Sequence, residues 1–195
     1  MIRTWLGWAY AVARPMARVG VQPDVLTLWS IDIGLVIVLL AEAGGRWLLL
    51  GCWVVVLSGL LDNLDGAVAV LEARTSRIGF VLDSVVDRVA DGLYLVALWR
   101  LGAPVWLCVT AGSTVALLEY TRARAGNAGM GEIGVVTIGE RPTRIIVTAV
   151  TLLCAGIYVG HQPLIAGLGA AATLGLSVIS CGQLALAVRR ILRPA

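Results

Sequence analysis

Apolar stretches of about twenty residues follow one another along almost the whole chain, parted only by short breaks rich in Gly, Pro and Arg. A stretch of that length is long enough to cross the hydrocarbon of a bilayer as a helix. A bilayer admits only helices or closed barrels, because each backbone N–H and C=O must find its partner within the protein. The breaks delimit six such segments: Asp24 to Ala43, Trp47 to about Val70, Gly79 to about Leu101, Pro104 to Tyr120, Thr143 to Gly160 and Pro163 to Ala187. With 59% hydrophobic residues over 195 positions, an ordinary soluble domain is excluded, since too little polar sequence remains to cover its surface. The expectation is a single all-α integral membrane domain over residues 1–195, with a six-helix transmembrane bundle over 24–190.

Residues 1–19 read differently. Trp5, Trp8 and Tyr10 are mixed with Arg3, Arg14 and Arg18, the composition of a helix lying in the membrane interface. No cleavable leader is expected, because no short apolar core is followed there by small residues at a cleavage site. All fifteen cationic residues are Arg. Arg3, Arg14, Arg18, Arg74, Arg77, Arg122, Arg124, Arg141, Arg144, Arg189, Arg190 and Arg193 fall on the side of the termini, Arg46 and Arg100 on the other, and Arg88 inside a span. The bias predicts a multi-pass protein of the cell membrane with both termini cytoplasmic. Cys52, Cys108, Cys154 and Cys181 stand singly in apolar runs and read as small hydrophobes, without metal spacing or a disulfide framework.

Within this apolar chain the stretch LLDNLDGAVAVLEARTSRIGFVLDSVVDRVADG, residues 60–92, carries Asp62, Asp65, Asp83 and Asp87. Spans two and three are expected as an antiparallel hairpin turning near residue 75, which puts Asp62 level with Asp87 and Asp65 nearly level with Asp83. Each pair also shares one helix face, at i, i+3 and i, i+4. Two carboxylates about 6 Å apart repel by roughly 3 kcal/mol at an effective dielectric near 20, so four together require protons or cations. With no His or Cys nearby, the oxygen-only set favours Mg²⁺ or Mn²⁺. Acids inside a membrane segment are read as functional, and helix-to-helix pairing with Arg77 or Arg88 accounts for one of them more readily than for four. A proton or ion path is the rival reading. Against it, the acids gather at one end of one hairpin, with only Asp91, Asp32 and Glu42 to continue them.

Small residues accompany the acids. Gly66, Ala67 and Ala69 follow the first pair and Gly79 precedes the second, which suits either close approach of a ligand or close helix packing. The run Asp62-x-x-Asp65-Gly66-x-x-Ala69 followed by Gly79-x-x-x-Asp83-x-x-x-Asp87 closely resembles the signature of the CDP-alcohol phosphotransferases. The resemblance extends from about Pro23 to Arg190 and implies six spans with an N-terminal interfacial helix. It implies a CDP-linked donor, usually CDP-diacylglycerol, whose phosphatidyl group passes to an acceptor hydroxyl with release of CMP. Two divalent ions, Mg²⁺ or Mn²⁺, would be held by Asp62, Asp65, Asp83 and Asp87, with Asp87 also the base on the acceptor hydroxyl. Gly66, Ala69 and Gly79 would lie against the nucleotide. The family's Arg after the position of Ala69 is Val70 here, and Arg74 stands one helical turn later as the residue expected on the donor phosphates, with Arg77 also close.

Arg122, Arg124, Arg141 and Arg144 flank the loop between spans four and five, and guanidinium forks bind phosphate bidentately. Positive-inside charge accounts for the same arginines without a ligand. Tyr120-x-Arg122-Ala123-Arg124-Ala125 and Glu140-Arg141-Pro142-x-Arg144 resemble segments of actinobacterial phosphatidylinositol phosphate synthases, as does Ile179-Ser180-Cys181-Gly182-Gln183. That resemblance implies a small anionic acceptor, inositol phosphate first, with glycerol phosphate or phosphatidylglycerol as alternatives, and a homodimer among membrane lipids. Where that group carries a further Arg after this Gln, the chain has Leu184. Nothing points to a nucleic-acid partner. Gly129-x-Gly131-x-x-Gly134 matches a dinucleotide fingerprint, but no strand precedes it, so it reads as a loop. His161 reads as a solvated residue of the far loop.

Overall fold

The computed structural model describes the backbone of residues 23–71, 77–130 and 136–192, and the side chains of 28–60, 78–130 and 136–192. The expected interfacial helix over 1–19 and Arg74 lie outside these residues, as do the side chains of Asp62, Asp65 and Ala69. Six helices follow one another: α1 Pro23–Ala43, α2 Trp47–Leu71, α3 Arg77–Arg100, α4 Val105–Asn127, α5 Arg141–Ile157 and α6 Gln162–Ile191, with a 3₁₀ turn Val159–His161 before the last. No strand occurs among the described residues. The six apolar segments therefore correspond one to one with helices. The largest difference lies in α4. It continues two turns past Tyr120, so Arg122 and Arg124 sit on a helix and not in a loop, while Arg141 and Arg144 occupy the first turn of α5.

Tight turns close the bundle at one end. Gly44 and Gly45 both adopt left-handed φ, 64° and 57°, which residues with a Cβ rarely take, so α2 starts only three residues after α1 ends. Gln162 ties that turn to the next, its Nε2 donating to the carbonyls of Gly45 and Ala155 at 3.4 and 3.3 Å. His161 is exposed on the 3₁₀ turn beside it.

The helices pack as a ring in the order α1, α3, α4, α6, α5, α2, with α3 also touching α6 across the middle. Its centre is filled by Ile37, Leu48, Val55, Leu98 and Leu152, and by small residues such as Ala111, Ala166 and Ala170 that let the backbones approach closely. The turn of the expected hairpin lies outside the described residues, and among those described α1 packs on both α2 and α3. These two meet through a buried bond, Tyr94 Oη donating to Ser58 Oγ at 2.9 Å. Ser58 and Tyr94 are equidistant from residue 76, so the described contact has the antiparallel register read from the sequence.

The outside is apolar as well. Leu39, Trp53, Trp106, Val109, Leu164 and Leu168 are each more than half exposed. By length and composition, one helical stretch among the described residues, Val159–Ile191, suffices alone to cross a bilayer. All four cysteines are free thiols.

Replacing Tyr94 by Phe removes the bond between α2 and α3 without opening a cavity, and is expected to cost about 1 kcal/mol of stability. Thermal unfolding in detergent, followed by tryptophan fluorescence, checks this.

Candidate active site

Asp83, Asp87 and Asp91 recur every fourth residue on α3 and so form one stripe, half-buried at Asp83 and Asp87 and 6% exposed at Asp91. The start of α5 faces this stripe. Glu140 stands at the N-cap position with its carboxylate turned to Thr137 and Arg122, and Pro142 occupies the first turn, which suits a residue lacking an N–H. Two arginines in the first turn oppose the helix dipole, whose positive end lies there, so nearby carboxylates must offset them.

They do so through one continuous ion network. Arg141 pairs with Asp87. Arg144, 4% exposed, reaches Asp91 Oδ2 at 3.0 Å and Glu119 Oε1 at 3.3 Å, and donates from Nη1 to the Gly139 carbonyl at 2.6 Å. Arg88 bridges Asp87 Oδ2 at 3.5 Å and Glu119 Oε2 at 3.0 Å. Arg122 donates to Glu119 Oε2 at 3.1 Å, to both oxygens of Glu140 at 2.7 and 3.1 Å, and to Thr137 Oγ1 at 3.0 Å. Among the described residues four guanidiniums thus meet four carboxylates, from Asp87, Asp91, Glu119 and Glu140, and these described charges offset one another. Balance matters here because a buried charge without its partner costs several kcal/mol.

The segment before α5 is fixed by the same groups. The Thr137 N–H and hydroxyl donate to Glu140 Oε1 at 2.8 and 2.9 Å, the Ile138 N–H to Gln183 Oε1 at 3.0 Å and the Gly139 N–H to Ser180 Oγ at 2.7 Å. A Cβ on Gly139 would lie 2.6 Å from that hydroxyl, so only glycine permits this approach to α6. Below it Leu184 is fully buried among Leu118, Ala125 and Met130, an apolar floor.

Two openings border the network. A cavity of about 940 Å³ between α3 and α4 is lined by Phe80, Ser84, Arg88, Glu119, Arg122 and Asn127, among others, and lies at the upper end of the range for small-molecule sites. A second, apolar groove of about 450 Å³ runs between α2 and α5 from Arg141 and Ile145 to Cys52 and Leu153.

Of the residues expected from the sequence, the structure brings Asp87, Arg122, Arg141 and Arg144 into one network, with Asp83 one turn from Asp87 and Gly79 one turn further. Arg124 is exposed on α4 and makes no ion pair among the described residues. Asp62, Asp65, Gly66 and Ala69 lie on α2. Glu119, Arg88, Asp91 and Glu140 complete the network and were not singled out as site residues by sequence reasoning. The available signals were a Glu three residues before Arg122 and a third Asp at four-residue spacing.

Among the described residues no three potential ligands gather as a metal site. The donor set still suits a hard divalent ion, being oxygen-only at Asp83 and Asp87, and Asp87 already holds a cationic partner in Arg141.

The sequence profile of the CDP-alcohol phosphatidyltransferases matches residues 21–179. An archaetidylinositol phosphate synthase of Pyrococcus horikoshii is 32% identical over 153 residues, covering 76% of this chain and 78% of the relative. A phosphatidylinositol phosphate synthase of Streptomyces avermitilis is 30% identical over 186 residues, covering 90% and 73%. The chain is also similar to the crystal structure of Mycobacterium tuberculosis phosphatidylinositol phosphate synthase with CDP-DAG bound. The TM-score is 0.74 at 29% identity, covering 96% of this chain and 98% of that one. The same enzyme in complex with manganese and citrate gives 0.74 at 29% identity, covering 96% and 93%.

Asp91→Leu leaves Arg144 short of a buried partner and should cost about 3 kcal/mol, of which the double variant Asp91→Leu, Arg144→Met should regain about half. Unfolding of the purified variants in detergent measures both.

Proposed function

The chain belongs to the CDP-alcohol phosphatidyltransferase family, and we propose that it transfers the phosphatidyl group of CDP-diacylglycerol to the hydroxyl of a phosphorylated polyol, inositol phosphate first. The reading is carried by the convergence of Asp87 and the arginines of three helices beside a cavity of about 940 Å³. It is supported by relatives whose names share an inositol phosphate product.

Asp62, Asp65, Asp83 and Asp87 would hold two divalent ions, Mg²⁺ or Mn²⁺. These would neutralise the pyrophosphate and the charge that develops at transfer. A structural neighbour in complex with manganese supports the choice of metal. Gly66, Ala69 and Gly79 would border the nucleotide, and Arg74 its phosphates. Asp87 takes the proton of the acceptor hydroxyl. The freed oxygen bonds to the phosphatidyl phosphorus, the bridging P–O bond of the pyrophosphate breaks, and CMP leaves with that electron pair. Arg141 orients Asp87 and meets the acceptor phosphate with Arg122. Arg144 acts at one remove, by fixing the Gly139 carbonyl and Glu119, and Arg124 adds exposed positive charge at the mouth.

The apolar exterior supports six spans in the cell membrane, with the charged end and both termini cytoplasmic. The groove between α2 and α5 would then take acyl chain while the CDP head lies at the aspartates of α2 and α3. Small residues of α3 and α4, Gly92 and Gly112 among them, line a shallow apolar face that suits a homodimer.

CMP release from CDP-diacylglycerol should require both acceptor and Mg²⁺ or Mn²⁺. Asp87→Asn should lower turnover by at least about a hundredfold, the size of a general-base contribution, while the protein stays folded. Near-normal turnover in that variant would exclude Asp87 as the base, and ion flux in liposomes without CMP would exclude the transferase reading.

A further inference from the structure

Among the described residues Glu119 is the one carboxylate shared by three arginines from three helices. Its Oε2 meets Arg88 at 3.0 Å and Arg122 at 3.1 Å, and its Oε1 meets Arg144 at 3.3 Å. The three partners differ in access. The side chains of Arg88 and Arg122 are 35% and 23% exposed and line the large cavity, whereas Arg144 is 4% exposed and does not. Only Arg88 and Arg122 can therefore change partner without opening the bundle.

We propose that Glu119 is a specificity-determining residue of the acceptor site, holding Arg88 and Arg122 at the cavity wall so that an acceptor phosphate must take both from it. This rests on the phosphorylated-acceptor reading above. A guanidinium has five donors in a planar fork, and two of them facing one cavity can bridge the oxygens of a single phosphate. Glu119 lies on the same wall and repels that phosphate. An anion that reaches one arginine alone gains one ion pair while losing another, and has no advantage over the carboxylate already there. A phosphate monoester placed to meet both arginines displaces two pairs and forms two, and its advantage is that close to two negative charges on three acceptor oxygens replace the single charge of one carboxylate, with Glu119 keeping Arg144. The carboxylate thus discriminates against weak or misplaced anions by competition, at a cost in affinity for the correct one. Neutral polyols are affected differently, because their hydroxyls can donate to Glu119.

Glu119→Gln keeps the shape and removes the repelling charge. Steady-state CMP release by the purified full chain should show the KM for phosphorylated acceptors falling about tenfold, a screened fraction of the interaction between unit charges a few ångströms apart. Inhibition by inorganic phosphate should tighten by a similar factor, with the donor KM within about twofold of the parent, because in this reading Glu119 acts on the acceptor phosphate alone. A purely structural role would raise the acceptor KM and lower kcat, and that result, or no change in KM and phosphate inhibition, overturns the proposal. Arg88→Gln gives an independent reading should Glu119→Gln not fold. It should raise the KM for phosphorylated acceptors about tenfold and leave neutral alcohols unaffected, and an unchanged KM overturns the proposal. Parent protein that releases CMP only with neutral alcohols overturns the acceptor reading itself. Parent protein that uses phosphorylated acceptors while Glu119→Gln is unaltered overturns the role of Glu119 alone.

Discussion

Arg144 is the fixed point of the charged end of the bundle. From the first turn of α5 it reaches Asp91 on α3, Glu119 on α4 and the Gly139 carbonyl of the preceding segment, all while 4% exposed. Apolar helices packed through small residues can slide and rotate with little change in contact energy, because their surfaces are smooth and chemically alike. A buried guanidinium cannot slide. Its two Nη groups each face an acceptor at a set place, and moving α3 or α4 by one residue leaves a charge unpaired at a cost of several kcal/mol. Placement of Asp87, Arg88 and Arg122 follows from this, since each lies within a turn of a residue that Arg144 holds.

The two ends of the bundle are built by different physics. Glycines in left-handed conformations, backbone hydrogen bonds and Gln162 close the far end, where no ion pair beyond Arg100 with Glu42 occurs among the described residues. Backbone pairing within each helix, with apolar side chains outward, asks nothing of the surrounding solvent and suits lipid as well as a core. The ion network gathers at the other end, where water or a polar ligand can meet it. A cavity there with mixed charge on its wall and an apolar groove beginning at Arg141 give one site access to both phases.

Much of this was legible in the sequence because period and composition suffice to read it. Six apolar runs became six helices, with starts displaced by at most two residues, since Gly44-Gly45, Pro104 and Pro163 mark the turns directly. The extension of α4 to Asn127 was not legible by hydropathy, because its last two turns carry Arg122 and Arg124. They are helical for a reason hydropathy cannot see, the partnership of Arg122 with Glu119 one turn back and Glu140 eighteen residues on. The ring order was equally hidden. Proximity in sequence suggests α2 beside α3, whereas α1 packs against both. The aspartates announced themselves by being costly in an apolar segment. Glu119 did not, because a single acid near a helix end needs no explanation until its three partners are known.

The balance of four arginines against four carboxylates bears on how such a site exists before anything binds. Arginines in the first turn of α5 face the positive end of a helix dipole and, left alone, would destabilise the start of that helix. Unpaired aspartates on α3 would lose water on entering the bundle without compensation. Each set offsets the other's difficulty, so the described arginines are oriented by carboxylates of neighbouring helices. Exchange is then confined by burial. Asp91 and Arg144 are almost fully buried and stay paired, while Arg88 and Arg122 retain enough exposure to trade one partner for another. The inner pair preserves the frame while the outer groups bind, and one chain of ion contacts joins the two.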